Sequence, residues 1–343
     1  SRGFTRLLAA LVFGRRVNLL RLGRIRTTRP TRAKRQRDAN VAWEALPRPN
    51  REEGNIVNCL DSIDYSCPEY GDLYDELPLW SAPFGLRLLD RVPIRPGLTI
   101  LDVGAGTGFL TLELAQRCGS TSRVIAVDPW TAAMARLRRK LAHLGLDNVV
   151  LLEQDAAALD LPDSSVNVIV SNLGVNNFAD VDAVMRELHR VAKPGAGLFL
   201  TTNPAGHMAE FYDVFRAALV ELGQSDRLPA LDQHIRHRGT VDTVTDTLAK
   251  AGFAVLNVET DSFRMRFADG TAFLRHYFIR FAFVKEWKSI VAPDKLQTTF
   301  KTLESNLIRV ATRRGELAMT MPIACFEAIS KGAETRTPEK TEG

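Results

Sequence analysis

The sequence is poor in cysteine and histidine. Its four cysteines, Cys59, Cys67, Cys118 and Cys325, form no CxxC pair and no zinc-like spacing, so they read as reduced thiols of a cytoplasm-like compartment rather than a disulfide framework. The six histidines include one close pair, His234 and His237. No cysteine or carboxylate stands at ligand spacing around it, and no metal is expected. Long hydrophobic runs are missing as well: the apolar run LLAALVF falls far below the ~18 residues of a transmembrane segment. No repeat with a period of ~20 to 50 residues is visible, which excludes solenoids and propellers. Acidic residues are absent from residues 1–37, which hold eleven arginines and one lysine.

That last absence changes the meaning of the chain's net charge of +5, because the residues beyond 37 carry 33 basic against 40 acidic side chains, a net of −7. The basic character belongs to an arm, and contact with nucleic acid is expected only through it. The arm's opening, SRGFTRLLAALVFGRRVNLLRLGRI, is acid-free and can form an amphipathic helix, as organelle transit peptides do. A solvated tail and attachment to a membrane surface are the other readings. The expected location is the cytoplasm, or a mitochondrial or other organelle matrix if residues 1–40 are a transit peptide.

The 45% hydrophobic content of 343 residues implies a large buried core. Residues 1–54 read as basic arm and proline-broken linker, with structure starting near Asn55. Residues 55–96 read as one or two helices ending at the Pro96-Gly97 turn. From residue 97 to 202 strands alternate with helices: TILDVG, RVIAVDP, VVLLEQD, VNVIVSNL and GLFLTT as strands, with GFLTLELAQRC, TAAMARLRRKLAHLGL and DVDAVMRELHRVAKPG between them as helices. This is the pattern of an α/β fold with a covered parallel sheet. Residues 203–343 complete the sheet around two long insertions, at about 203–239 and 261–316; segments of that length between strands usually form lids.

The glycine-rich loop between the first strand and the next helix reads Gly104-Ala105-Gly106-Thr107-Gly108-Phe109. A dinucleotide fingerprint requires GxGxxG, and Phe109 stands where its third glycine belongs. Asp102, two residues before the first glycine, would repel a pyrophosphate at the helix N-terminus. The same carboxylate suits a ligand with an ammonium group and no phosphate, which is how S-adenosylmethionine differs from NAD. Asp128, at the end of RVIAVD, is placed to accept from ribose hydroxyls. Asp155, ending VVLLEQD, is placed at the edge of the same crevice, where it can accept from an adenine amino group. Each feature alone has an ordinary explanation as a cap, turn or surface residue; three acids at the carboxyl ends of three successive strands point to a ligand along that edge.

The run from about Gly97 to Thr202 resembles the class I S-adenosylmethionine-dependent methyltransferases, particularly their small-molecule branch with the quinone and sterol methyltransferases. LDVGAGTG, VIAVDP and LLEQDAAALDLPDSSVNVIVSN are similar to three successive motifs of that family, with Asn167 where aspartate is common, and HRVAKPGAGLFLTT resembles the following turn and strand. The resemblance implies a Rossmann-like seven-stranded methyltransferase sheet, its last strand antiparallel and formed by ELAMTMPIACFEAIS, with helical cap insertions. It implies S-adenosyl-L-methionine as cofactor, the methionine part held by Asp102 and the backbone of Gly104, Ala105, Gly106 and Gly108. The ribose then falls to Asp128, a face of the adenine to Trp130 beside Pro129, and its edge to Asp155 with Ala156. Asn172 and Leu173 would line the methyl donor through their backbone.

Methyl transfer from a sulfonium is an in-line displacement that depends chiefly on alignment, so catalytic residues are weakly marked. The text after the fourth strand, SNLGVNNF, lacks the NPPY-like run of enzymes acting on base amines. No cysteine nucleophile and no paired glutamates appear there either, and a small-molecule acceptor is the leading reading. His207 and His276 are the candidate bases, each of which also reads as a packing or capping residue. The aromatic series from Phe263 to Trp287 suits an apolar pocket or an ordinary core. The competing readings are an RNA methyltransferase and a non-catalytic organellar assembly factor, both using the basic arm.

Overall fold

The computed structural model describes residue 60, residues 65–75 and residues 79–332. The expectations for the arm and linker at 1–54, for a start near Asn55 and for Cys59 lie outside the described residues. Two short helices come first, α1 (Pro68–Asp75) and α2 (Ala82–Leu89). The strand β1 (Thr99–Val103), sequence TILDV, is buried from Ile100 onward; a run apolar on both faces can only be central. Its neighbours are β2 (Arg123–Val127) and β4 (Val166–Asn172), with β3 (Val149–Leu152) outside β2. The helix α3 (Phe109–Cys118) joins β1 to β2, α4 (Thr131–Leu144) joins β2 to β3, and α5 (Val181–Val191) follows β4.

Among the described residues the sheet has seven strands in the order β3-β2-β1-β4-β5-β7-β6. The first five are parallel, whereas β7 (Leu317–Ser330) runs antiparallel to both β5 (Ala192–Thr202) and β6 (Phe253–Phe267). The order reverses at β1 and β4, which opens a crevice at their carboxyl ends. Asn167 ties β4 to the start of β1, its Oδ1 accepting the Thr99 amide N–H at 3.0 Å.

Two boundaries differ from the sequence reading. Lys193-Pro194-Gly195 does not close α5 but lies inside β5, in a bulge between the pairs Val166–Ala192 and Val168–Gly197, where Pro194 and its missing N–H are tolerated. The insertion expected to begin at about 261 starts later, because β6 continues to Phe267 and residues 261–267 pair with 317–323 of β7. The last insertion therefore begins after Phe267. It contains α9 (Gly270–Arg275), α10 (Tyr277–Ala282), α11 (Val284–Ile290) and α12 (Leu296–Arg314), after α6 (Ala209–Glu221), α7 (Leu228–Arg236) and α8 (Val241–Lys250) of the preceding stretch.

The prolonged β6–β7 hairpin carries the cap. Leu317, Met319, Met321 and Ile323 join Phe211, Phe215, Phe273, Trp287 and Phe300 in one buried cluster that also takes in Trp80 and Phe84. The aromatic series thus divides. Phe273 and Trp287 are core, while Phe278, Phe281 and Phe283 face a cavity.

Candidate functional site

The glycine loop is built by β1 handing over to α3 in a very small space. Gly104, Gly106 and Gly108 have φ of +73°, +54° and +92°, the left-handed region that favours glycine. At Gly104 a Cβ would also come within 3.1 Å of the Cα of Gly174, in the turn after β4, and at Gly108 it would strike Leu137. The Gly104 and Ala105 amides donate to the Val127 carbonyl, pinning the loop to the end of β2. Phe109, in place of a third glycine, presses its ring against Gly85 of α2, where a Cβ would collide with it. The departure from the dinucleotide fingerprint thus docks an N-terminal helix onto the loop.

Two cavities meet at this loop. The first, about 240 Å³, is lined by Asp102, Gly104, Ala105, Gly106, Phe109, Lys140 and Asn172 with Tyr74, Asp75 and Ser81. The second, about 480 Å³, begins at Gly104, Gly106, Asp128, Pro129 and Trp130, passes Asn172 and Leu173, and ends among Trp80, Phe278, Phe281 and Phe283. Tyr74, Gly104, Gly106 and Asn172 line both.

The acids differ in environment. Asp102 is buried, its Oδ2 accepting the Thr111 hydroxyl at 2.6 Å. Burial pushes its carboxyl up to about 7, opposed by the Thr111 bond and reinforced by the charge of Asp128. Asp128 spans two amides, Gly106 N–H to Oδ2 and Trp130 N–H to Oδ1, each at 2.8 Å. Burial raises its pKa, and the two amide bonds oppose the shift. The Tyr74 hydroxyl is pushed up to about 12 by burial and then by the Asp128 charge, so it remains a donor at neutral pH. Trp130 is held by its indole N–H, which donates to the Tyr65 carbonyl at 2.8 Å. Its ring lies 5.6 Å from Tyr74 and 5.9 Å from Phe281.

Asn172 is tied by Thr201, whose hydroxyl donates to its Oδ1 at 2.7 Å, and by its own amide, which donates to the Ser81 carbonyl at 3.1 Å. Leu173 follows with φ +66°, a strained backbone for a leucine. Asp155 and Ala156 line neither cavity. The strand β3 stops at Leu152, and Asp155 is an exposed turn residue whose Oδ1 accepts from the Ala157 amide at 2.9 Å. Ala156 is buried.

The packing places both candidate histidines outside the two cavities. His207 lines neither cavity; its ring sits 5.2 Å from Phe283 and 5.5 Å from Trp80, and both ring nitrogens are buried without a partner. Burial, then the charges of Arg238 and His234, hold its pKa well below the ordinary value. His276 joins α9 to α10 and packs 5.4 Å from Phe267, its Nδ1 buried. Neither is placed to take a proton from a molecule in the cavity. Sequence reasoning missed Tyr74, Trp80, Thr111, Gly174 and Arg238. For Tyr74 and Trp80 the signal was the aromatic content of the short α1–α2 segment, which a core equally explains; Thr111, Gly174 and Arg238 stand outside it.

These residues fit S-adenosylmethionine. Among the described residues Asp102 is a buried carboxylate with no ion pair beside a cavity, Gly104 and Gly106 open the backbone to close approach, and Asp128 lines the larger cavity and holds Gly106, which lines both. No group of three or more metal-ligating side chains occurs among the described residues. No helix there is long and apolar enough to cross a membrane.

A family profile described as "Methyltransferase domain" matches residues 94–252. The ubiquinone/menaquinone biosynthesis C-methyltransferase UbiE of Shewanella oneidensis is 32% identical over 169 residues, which cover 46% of this chain and 67% of that protein. The protein of the same name from Escherichia coli O1:K1 is 29% identical over 175 residues, 48% of this chain and 70% of that one. A solved structure of a SAM-dependent methyltransferase from Aquifex aeolicus is 23% identical, with a TM-score of 0.44, covering 57% of this chain and 92% of its own.

Proposed function

This chain belongs to the class I S-adenosylmethionine-dependent methyltransferases, and we propose that it methylates a small acceptor of apolar or aromatic character, held between the glycine loop and the cap. The observation that carries this reading is the continuity of the larger cavity, which runs from Asp128 and the loop to Trp80, Phe278 and Phe283. That wall is mostly aromatic, with Arg238 and Glu286 as its charged side chains, and such surfaces favour flat molecules. The similarity to UbiE proteins, whose name describes C-methylation in quinone biosynthesis, agrees with an acceptor of this kind.

In the proposed arrangement the smaller cavity takes the methionine end of the cofactor. Asp102 faces the ammonium group and Lys140, whose Nζ also bonds Asp75 Oδ1 at 2.6 Å, is the cation on that cavity's wall for the carboxylate, while the left-handed glycines let the ligand lie against backbone. Asp128 accepts from the ribose hydroxyls, and Pro129 and Trp130 form the wall for the adenine. Asn172 and Leu173 flank the junction where the two cavities meet. Bound S-adenosylmethionine supplies an already activated methyl carbon. The chain's own residues supply alignment and exclusion of water, worth up to about 7–11 kcal/mol in well-oriented systems. No side chain of the cavity is needed as a strong base if the acceptor arrives ionised or is a good carbon nucleophile.

Calorimetric titration with S-adenosylmethionine tests the first half, with NAD as control. Binding of the first and not of the second is expected. A protein that binds NAD, or neither, would overturn the reading. Turnover on a panel of phenols and quinols, measured by release of S-adenosylhomocysteine, tests the second half.

A further inference from the structure

Among the described residues Arg238 is a cation without an anionic partner where two cavities adjoin. It lies between α7 and α8 and lines the large cavity together with Trp80, Phe278 and Phe283. It also lines a third cavity of about 180 Å³, formed by apolar side chains such as Val181, Met185 and Leu248. Its guanidinium carbon stands 5.9 Å from the centre of the Phe283 ring. Among the described residues it forms no ion pair and no hydrogen bond, whereas Arg87, Arg91, Arg136 and Arg190 all meet carboxylates. Glu286, on the same cavity wall, is exposed and makes no ion pair with it. Burial lowers the guanidinium pKa, partly offset by Tyr212 and Glu286.

The Phe283 face offsets part of the cost of half-burying this guanidinium but supplies no acceptor to its N–H groups, and that planar fork matches an oxyanion better than any neutral group. The anion is not the cofactor's carboxylate, because the cavity assigned to the methionine end does not include Arg238 and has Lys140 instead. The remaining occupant of the large cavity is the acceptor.

We propose that the acceptor carries an anionic oxygen, a carboxylate or an ionised ring hydroxyl, on an aromatic or apolar frame, and that Arg238 is the residue that selects it. The inference deepens the methyl-transfer reading above and rests on it. Apolar rings give the frame its grip, and the single cation sets which frames are retained.

The test is equilibrium binding to the full chain saturated with S-adenosylhomocysteine. Two matched probe pairs are used: 2-naphthoate with 2-naphthamide, and 4-nitrophenolate with 4-nitroanisole. Wild type is expected to bind the anion of at least one pair tenfold or more above its neutral match, and the preferred pair tells a carboxylate from a phenolate. Arg238→Gln should bind both members within about twofold while keeping its affinity for S-adenosylhomocysteine; Arg238→Lys should restore part of the preference. For the nitrophenol, bound wild type should show an absorbance titration displaced to lower pH, and Arg238→Gln should not. Equal binding of anion and neutral match by wild type in both pairs, or an anion preference that survives Arg238→Gln, overturns the proposal. Should that variant not fold, the wild-type probe pairs and the nitrophenol titration still decide it. Failure to bind S-adenosylhomocysteine at all would instead strike the methyl-transfer reading, so the two failures are distinct.

Discussion

The carboxylate of Asp128 is bonded to Gly106: Oδ2 accepts the amide N–H at 2.8 Å, while Oδ1 accepts that of Trp130 at the same distance. One side chain thereby fixes the glycine loop relative to the end of β2 and orients the indole wall of the larger cavity. Asp128→Ala should weaken S-adenosylmethionine binding tenfold or more, since bonds to a charged acceptor are worth about 1.5–3 kcal/mol each. Calorimetry checks it, and an affinity unchanged within twofold would show that the loop holds its shape without this residue.

Gly104 and Gly106 should respond differently to the same change. Both have positive φ, but a Cβ at Gly104 also meets Gly174 at 3.1 Å, while one at Gly106 meets nothing within 4 Å. Gly106→Ala is expected to cost about 1–2 kcal/mol of stability from the backbone alone, and Gly104→Ala more, by about 1 kcal/mol or above. Urea unfolding of the two variants measures the difference; equal losses would mean that the Gly174 turn yields freely.

Asp102 makes cofactor affinity depend on pH. Its folded-state carboxyl is raised to about 7 by burial, so the free protein holds a proton there that the unfolded chain has released. This contribution to stability is complete below the ordinary carboxylate range and is lost as pH rises through about 7. Wild type should therefore lose stability relative to Asp102→Asn between about pH 4 and 7 and change little above that. An ammonium ligand favours the ionised form, so S-adenosylmethionine affinity of wild type should rise with pH and level off above about 7. Chemical unfolding and calorimetry at several pH values test both; a flat affinity profile would mean that Asp102 does not face the ammonium.

His207 should be replaceable. It is 3% exposed, with neither ring nitrogen partnered, among Trp80, Tyr212 and Phe283. Its folded-state pKa lies below the unfolded value, so its contribution is present above the ordinary histidine range and fades as pH falls through it. His207→Phe should keep cofactor affinity, match or exceed wild-type Tm at neutral pH, and lose less stability between pH 7 and 5. A collapse of turnover with cofactor binding intact would return His207 to the catalytic machinery.

Much of the sheet was legible in the chain. TILDV, RVIAV and VNVIVSN are dominated by apolar residues, and such strands belong in the interior of a covered parallel sheet; VVLL reads the same way but forms the sheet edge as β3. The glycine loop and the acids Asp102 and Asp128 could be located because backbone conformation and strand ends are local properties. Boundaries at Pro194 and Thr260 were misread for the opposite reason: a bulge opposite β4 and a pairing with β7 some 60 residues away leave no mark on neighbouring residues.

The crevice is therefore written into the order of residues along β1 and β2, because left-handed glycines and strand-end carboxylates are set by near neighbours in the chain. What faces that crevice is set by the packing of distant segments. Whether His207 is a base or packing, whether Phe283 is core or cavity wall, and whether Arg238 meets an acid or stands alone all depend on how the cap settles on the extended β6–β7 hairpin. Burial and partnership arise from residues far apart in the chain, and no local pattern encodes them.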